Sequence, residues 1–168
     1  MTKMKYDWTN FDVNFYYPAK VGEVFKYWAT GQGLKSFFIE EIEIRSANEI
    51  INEVDEVKSG DEYSWTWRHG YSISGQFTEV VTGKLLSFTF GDMLVTLTFK
   101  EENSRCLVSL KQTQISNDSS GMVMGHLNCR SCWVFFMTNL KSIILNGSDL
   151  RDDDPDITSS YEVGFEPV

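Results

Sequence analysis

Cys106-Leu107-Val108-Ser109-Leu110-Lys111-Gln112-Thr113-Gln114-Ile115-Ser116 repeats with a period of two, and beyond Asn117-Asp118-Ser119-Ser120-Gly121 the period becomes 3.6. Val108 and Leu110 share one face of a half-buried strand. Asn117 to Gly121 is a loop made of helix-capping residue types. After it, His126, Cys129, Trp133, Phe136, Met137, Leu140 and Ile144 fall on one broad apolar stripe. The helix is expected to run to about Leu145 and to stop at Asn146-Gly147. At 1.5 Å per residue it spans about 35 Å, enough to cross a whole sheet.

Upstream of this junction the pattern is mostly strands. Phe11, Val13, Phe15 and Tyr17 alternate with Asp12, Asn14 and Tyr16, and Pro18 ends the run. Ala19 to Ala29 reads as a helix with Val21, Val24, Phe25 and Trp28 on one face, broken by Thr30-Gly31-Gln32-Gly33. Leu34, Phe37 and Phe38 suggest a second short helix. Ile42 and Ile44 then open a strand series, with Ile50 to Val57 as a weaker member. Tyr63, Trp65, Trp67 and His69 share one strand face, and Gly70 breaks that run. Ile73 to Val81, Leu85 to Phe90 and Met93 to Lys100 follow, joined by turns at Thr82-Gly83-Lys84 and Gly91-Asp92. Short connections favour an antiparallel meander. The expected architecture is α+β: a curved antiparallel sheet of about six to seven strands around a long C-terminal helix, with two short helices after the first strand. Residues 1–147 are expected to form one domain, and 148–168 a polar C-terminal tail containing Pro155 and Pro167, extended on the surface.

Composition restricts the partners. The net charge is −9, so an acidic surface repels phosphate backbones and nucleic acid is excluded as an expected partner. Cys106, Cys129 and Cys132 form no disulfide framework. The start, Met1-Thr2-Lys3-Met4-Lys5-Tyr6-Asp7, has no apolar signal core, and no stretch is long enough to insert in a membrane as a helix. A reducing, cytoplasmic setting is expected. Twelve Phe, seven Tyr and five Trp imply either a bulky core or an aromatic-lined pocket.

The element order resembles the helix-grip superfamily SRPBCC, which includes START lipid-transfer domains and the major birch pollen allergen. Within it, the chain resembles proteins similar to the C-terminal domain of the activator of the heat-shock-protein-90 ATPase. The resemblance is carried by Tyr17-Pro18-Ala19-Lys20-Val21-Gly22-Glu23-Val24-Phe25-Lys26-Tyr27-Trp28 and Gly33-Leu34-Lys35-Ser36-Phe37-Phe38. It continues in Gly75-Gln76-Phe77-Thr78-Glu79-Val80, Lys84-Leu85-Leu86-Ser87-Phe88-Thr89-Phe90 and the helix from Trp133 to Gly147. The extension from Asp149 is similar to that of a bacterial START-like subgroup. Ser131-Cys132 stands before Trp133, where such relatives often have glycine.

The resemblance implies a non-catalytic domain that binds a small hydrophobic or lipid-like molecule in an apolar cavity between sheet and helix. One alternative is a protein-interaction module with a protein partner, related to the chaperone activator. Another is an enzyme of cyclase or hydrolase type, which would need a buried acid–base pair. Candidate ligand-binding residues are Tyr63, Trp65, Trp67, Phe77, Phe88, Phe90, His126, Trp133 and Met137. Phe88 and Phe90 are expected inside by strand parity, and Gln112 and Gln114 are candidate polar groups for the pocket. His69, beside Gly70, is expected at the surface of a hairpin end. His126, Cys129 and Cys132 have zinc-ligand chemistry, but steps of three on a helix spread them over about 120°. No metal, cofactor or catalytic residue is expected.

Overall fold

A computed structural model of the protein describes residues 6–154, 156, 162 and 164. Met1 to Lys5 and the two tail prolines, Pro155 and Pro167, lie outside the described residues. The elements are β1 (Phe11–Tyr17), α1 (Val21–Ala29), α2 (Gly31–Phe37), β2 (Glu41–Ser46), β3 (Glu49–Ile50) and β4 (Glu62–Thr66). They continue with β5 (Ser72–Val81), β6 (Leu85–Phe90), β7 (Met93–Glu102), β8 (Arg105–Thr113), a π-helical segment (Gly121–Asn128) and α3 (Cys129–Asn146).

The strands form one antiparallel sheet of eight, in the order β1-β8-β7-β6-β5-β4-β2-β3. The first strand thus pairs with the last, setting Phe11 opposite Gln112 and Tyr17 opposite Cys106. Eight strands exceed the six to seven read from periodicity because β3 has only two residues. It is closed on β2 by a turn in which Ala47 and Asn48 adopt φ of 50° and 69°. The expected strand from Ile50 to Val57 is otherwise a loop, tied at Glu56 to Thr30 by a single bridge. A register shift between Phe77 and Glu79 marks a bulge in β5, the device by which a strand bends.

Alternation sets the concave face. Tyr63 and Trp65 on β4, Phe77 on β5, Leu86 and Phe88 on β6, Val95 and Leu97 on β7, and Val108 and Leu110 on β8 are all buried. The face toward α3 on β6 is the Leu86, Phe88, Phe90 face, with Phe90 and Trp133 rings 5.4 Å apart. From the helical side, Trp133, Phe136, Met137 and Leu140 of α3 and Val24, Phe25 and Trp28 of α1 close the core.

The long helix differs from a uniform α-helix in its first part. Gly121 to Asn128 is wound as a π-helix, and α3 then runs 18 residues to Asn146. Gly125 explains the close approach: a Cβ there would stand 2.8 Å from Ile115 Cγ2 and 3.2 Å from Met93 Sδ. At the other end Gly147 takes φ 72° and donates its N–H to Ile143 O at 2.8 Å, the left-handed cap expected of Asn-Gly.

Residues after α3 do more than lie on the surface. Arg151 is buried; its guanidinium donates to the carbonyls of Lys35 (3.0 Å), Ser36 (3.2 Å) and Ile39 (3.0 Å). The carbonyls of Lys35 and Ser36 belong to the last turn of α2, which the helix leaves open, and that of Ile39 lies two residues beyond it. Asp149 accepts from Arg151 at 2.7 Å, and Asn139 of α3 joins Asp149 to Phe37 O through two bonds of 2.9 Å.

Candidate functional site

A cavity of about 560 Å³ lies between the start of α3 and the sheet end formed by β6, β7 and residues 67–73. Strand parity, the long helix and the turn after α2 supply its apolar wall. Trp67 and Phe90 come from the sheet side, Trp133 and Phe136 from α3, and Phe38 from the turn after α2. Phe38 stacks on Trp133 at 5.1 Å and meets Trp67 and Phe136 edge-on at 5.3 and 4.9 Å. Met93 and Met124 add polarizable sulfur, suited to irregular shapes.

The wall is held by buried polar bonds. Trp133 Nε1 donates to Gln112 Oε1 at 2.8 Å, and Gln112 Nε2 donates to Gly125 O at 3.0 Å. Gln112 thus ties β8, the π-helical segment and α3 together, and does not itself line the cavity among the described residues. Gln114 is exposed at φ 63°, just past the end of β8.

Of the nine candidates, Trp67, Phe90 and Trp133 meet at the cavity. Tyr63, Trp65, Phe77, Phe88 and Met137 lie deeper, where the core is filled. Tyr63 and Trp65 rings stack at 3.8 Å, and Trp65 and Phe88 meet edge-on at 5.2 Å. The Tyr63 hydroxyl donates to Thr89 O, and burial pushes its pKa up. His126 is fully buried on another side of the helix. Its Nδ1 is 3.0 Å from Trp8 O and its Nε2 is 2.8 Å from Tyr6 Oη. A carbonyl only accepts, so Nδ1 carries the proton and Nε2 accepts from the tyrosine. Both ring nitrogens are used, and His126 serves the core.

Sequence reading missed four groups. His69, expected at the surface, stands in the cavity wall with Nδ1 buried, and burial lowers its pKa. Its parity with Trp67 was the available signal. Cys129 and Cys132 also line the cavity, and burial pushes the Cys132 thiol up to about 12. Glu162 reaches the wall from the tail and is buried; no local pattern announces it. No group of three or more His, Cys, Asp or Glu among the described residues is arranged to hold a metal ion.

A curved antiparallel sheet closed on a long C-terminal helix, with a cavity between them, defines a helix-grip domain of the SRPBCC type. The chain belongs to the family described as activator of Hsp90 ATPase homolog 1-like protein, which it matches over residues 18–144. Solved structures share the fold. A protein from Staphylococcus saprophyticus has 15% identity and a TM-score of 0.69, covering 84% of this chain and 96% of its own. The Aha1 dimer from Colwellia psychrerythraea has 14% identity and a TM-score of 0.65, with 83% and 98% covered. A Nitrosomonas europaea protein has 15% identity and a TM-score of 0.61, with 86% and 100% covered. No curated protein matches the chain significantly. No helix among the described residues is long and apolar enough to cross a membrane.

Proposed function

We propose that this domain binds a small hydrophobic molecule in the cavity between sheet and α3, and that it does so without catalysis in the cytoplasm. The cavity carries the reading: about 560 Å³, walled mainly by aromatic rings and methionines, is the size and chemistry of a small-molecule site. Trp67, Phe90 and Trp133 are the ligand-contacting residues of this reading, with Phe38, Phe136 and Met124 beside them. Tyr63, Trp65, Phe77, Phe88 and Met137 support them from behind, so their truncation acts through packing. Residues 1–147 form the binding domain, and the polar segment 148–168 extends it. The titratable groups in the wall argue for binding rather than turnover. Burial raises the pKa of both thiols, which keeps them poor nucleophiles, and no hydrogen bond among the described residues pairs His69 with Glu162.

Native mass spectrometry of the protein purified from its host, beside a denatured control, tests this reading. The expected result is a reproducible extra mass that is lost on denaturation. Cys132→Phe, which puts a ring into the cavity, is expected to abolish that mass while the melting temperature stays within a few degrees. A clean apo mass, with no thermal shift against fatty acids, sterols and aromatics, overturns the reading. It would leave the protein-interaction alternative, for which the half-exposed Val123 and Leu127 of the π-helical segment would be the first surface to test.

A further inference from the structure

The polar groups in the cavity wall state what a ligand there must carry, an inference that rests on the binding reading above. Glu162 is only 4% exposed. Its Oε2 accepts the N–H of Asp152 at 3.0 Å. A carboxylate offers about four lone-pair sites, so this single bond leaves most of its accepting capacity unspent. His69 Nδ1, in the same wall, is buried without a hydrogen-bond partner among the described residues. A buried ring nitrogen without a partner is costly, and a ligand N–H or O–H satisfies it when the other nitrogen holds the ring proton.

Two further features favour positive charge at this place. Aromatic faces attract cations, and Trp67, Tyr71, Phe90 and Trp133 all border the cavity. Burial raises the Glu162 pKa while the charges of Arg68 and Arg151 act to lower it, but both arginines direct their hydrogen bonds to other groups. Arg68 is paired with Glu40, Asp149 and Asp153 at 3.0, 3.4 and 3.6 Å, and Arg151 with Asp149 at 2.7 Å. The net charge of −9 also draws cations toward the molecule.

We propose that the cavity selects a lipophilic amine, its apolar body between the rings and its ammonium group hydrogen-bonded to Glu162. His69 Nδ1 accepts a further donor of the same ligand. The recognising carboxylate comes from beyond residue 144, where the family match ends, so the specificity is a property of this chain's extension.

Three probes that share a naphthalene body test the proposal by isothermal calorimetry on the full chain: naphthylmethylamine, methylnaphthalene and naphthoate. The expected order is amine first, by about tenfold or more over the neutral probe, with naphthoate weakest, since charge-assisted hydrogen bonds are the strong ones. Glu162→Gln is expected to bring the amine within about twofold of methylnaphthalene, whose own affinity stays unchanged. That unchanged affinity shows that the cavity remains folded. Equal binding of amine and neutral probe by the native chain overturns the amine selection and leaves hydrophobic binding standing. An amine preference that survives Glu162→Gln removes Glu162 as the recognising group. Failure of all three probes counts against the binding reading itself.

Discussion

Arg151→Ala removes the group that fastens the chain after α3 to the end of α2. The Arg151 side chain is 4% exposed, and that of its partner Asp149 33%. Breaking a buried ion pair costs about 3–5 kcal/mol, because the partner and the acceptors lose their counterpart. Here the lower end applies, about 3 kcal/mol, since Asp149 is partly solvated and keeps Asn139 and Arg68 as partners. For a chain of 168 residues each kcal/mol moves the melting point by about 2–4 °C, so a drop of about 6–12 °C is expected. Differential scanning calorimetry at neutral pH measures it, with urea unfolding as the check that the m-value is unchanged. Arg151→Lys should recover little of the loss, because an ammonium cannot reach three carbonyls and a carboxylate in one plane. The same pair predicts a pH dependence. Burial pushes the Asp149 pKa up, but the hydrogen bonds from Arg151 and Asn139 outweigh this and hold it below its ordinary 3.8. A depressed native pKa contributes stability that is present above the unfolded value and is lost as pH falls through the native one. The gap between native and Arg151→Ala proteins should therefore narrow in acid below that range. A melting point within about 2 °C of the native one would refute the argument that this contact anchors the extension.

Other expectations concern the core and the thiols. Trp133→Phe leaves Gln112 Oε1 buried without its donor and should cost about 1–3 kcal/mol in urea unfolding, more than the lost area alone. Gly75→Ala should destabilise by a similar amount, about 1–3 kcal/mol, because the new Cβ would stand 2.5 Å from both Tyr63 Oη and Thr89 Oγ1. Normal stability of that variant would mean that the Tyr63 ring has room to move. Cys106 and Cys132, with thiols pushed up to about 11 and about 12 by burial, should resist iodoacetamide at pH 8 in the native protein. Both should react promptly in denaturant, and mass spectrometry of tryptic peptides separates the two states.

Periodicity determined the elements of this protein, because period two and period 3.6 are imposed by backbone geometry and leave their mark on any half-buried segment. The change of period after Gly121, the inward parity of Trp65, Phe88 and Phe90, and the stop at Gly147 are all local facts of this kind. The cavity is not a local fact. Parity places Tyr63, Trp65 and Trp67 on one face alike, yet Tyr63 and Trp65 fill the core while Trp67 borders open space. That difference arises from how far α3 stands from each part of a bent sheet, a distance set by Gly125, the π-helical winding and the Gln112–Trp133 bond together. His126 and His69 both leave their expected places for the same reason: the chain before β1 covers the first, and the second lines the cavity just before the turn at Gly70. Glu162 and Arg151 sit in a polar stretch with no periodicity to read. Only the tertiary fold, by bringing the extension back to α2 and the cavity, decided that these two charges would be buried.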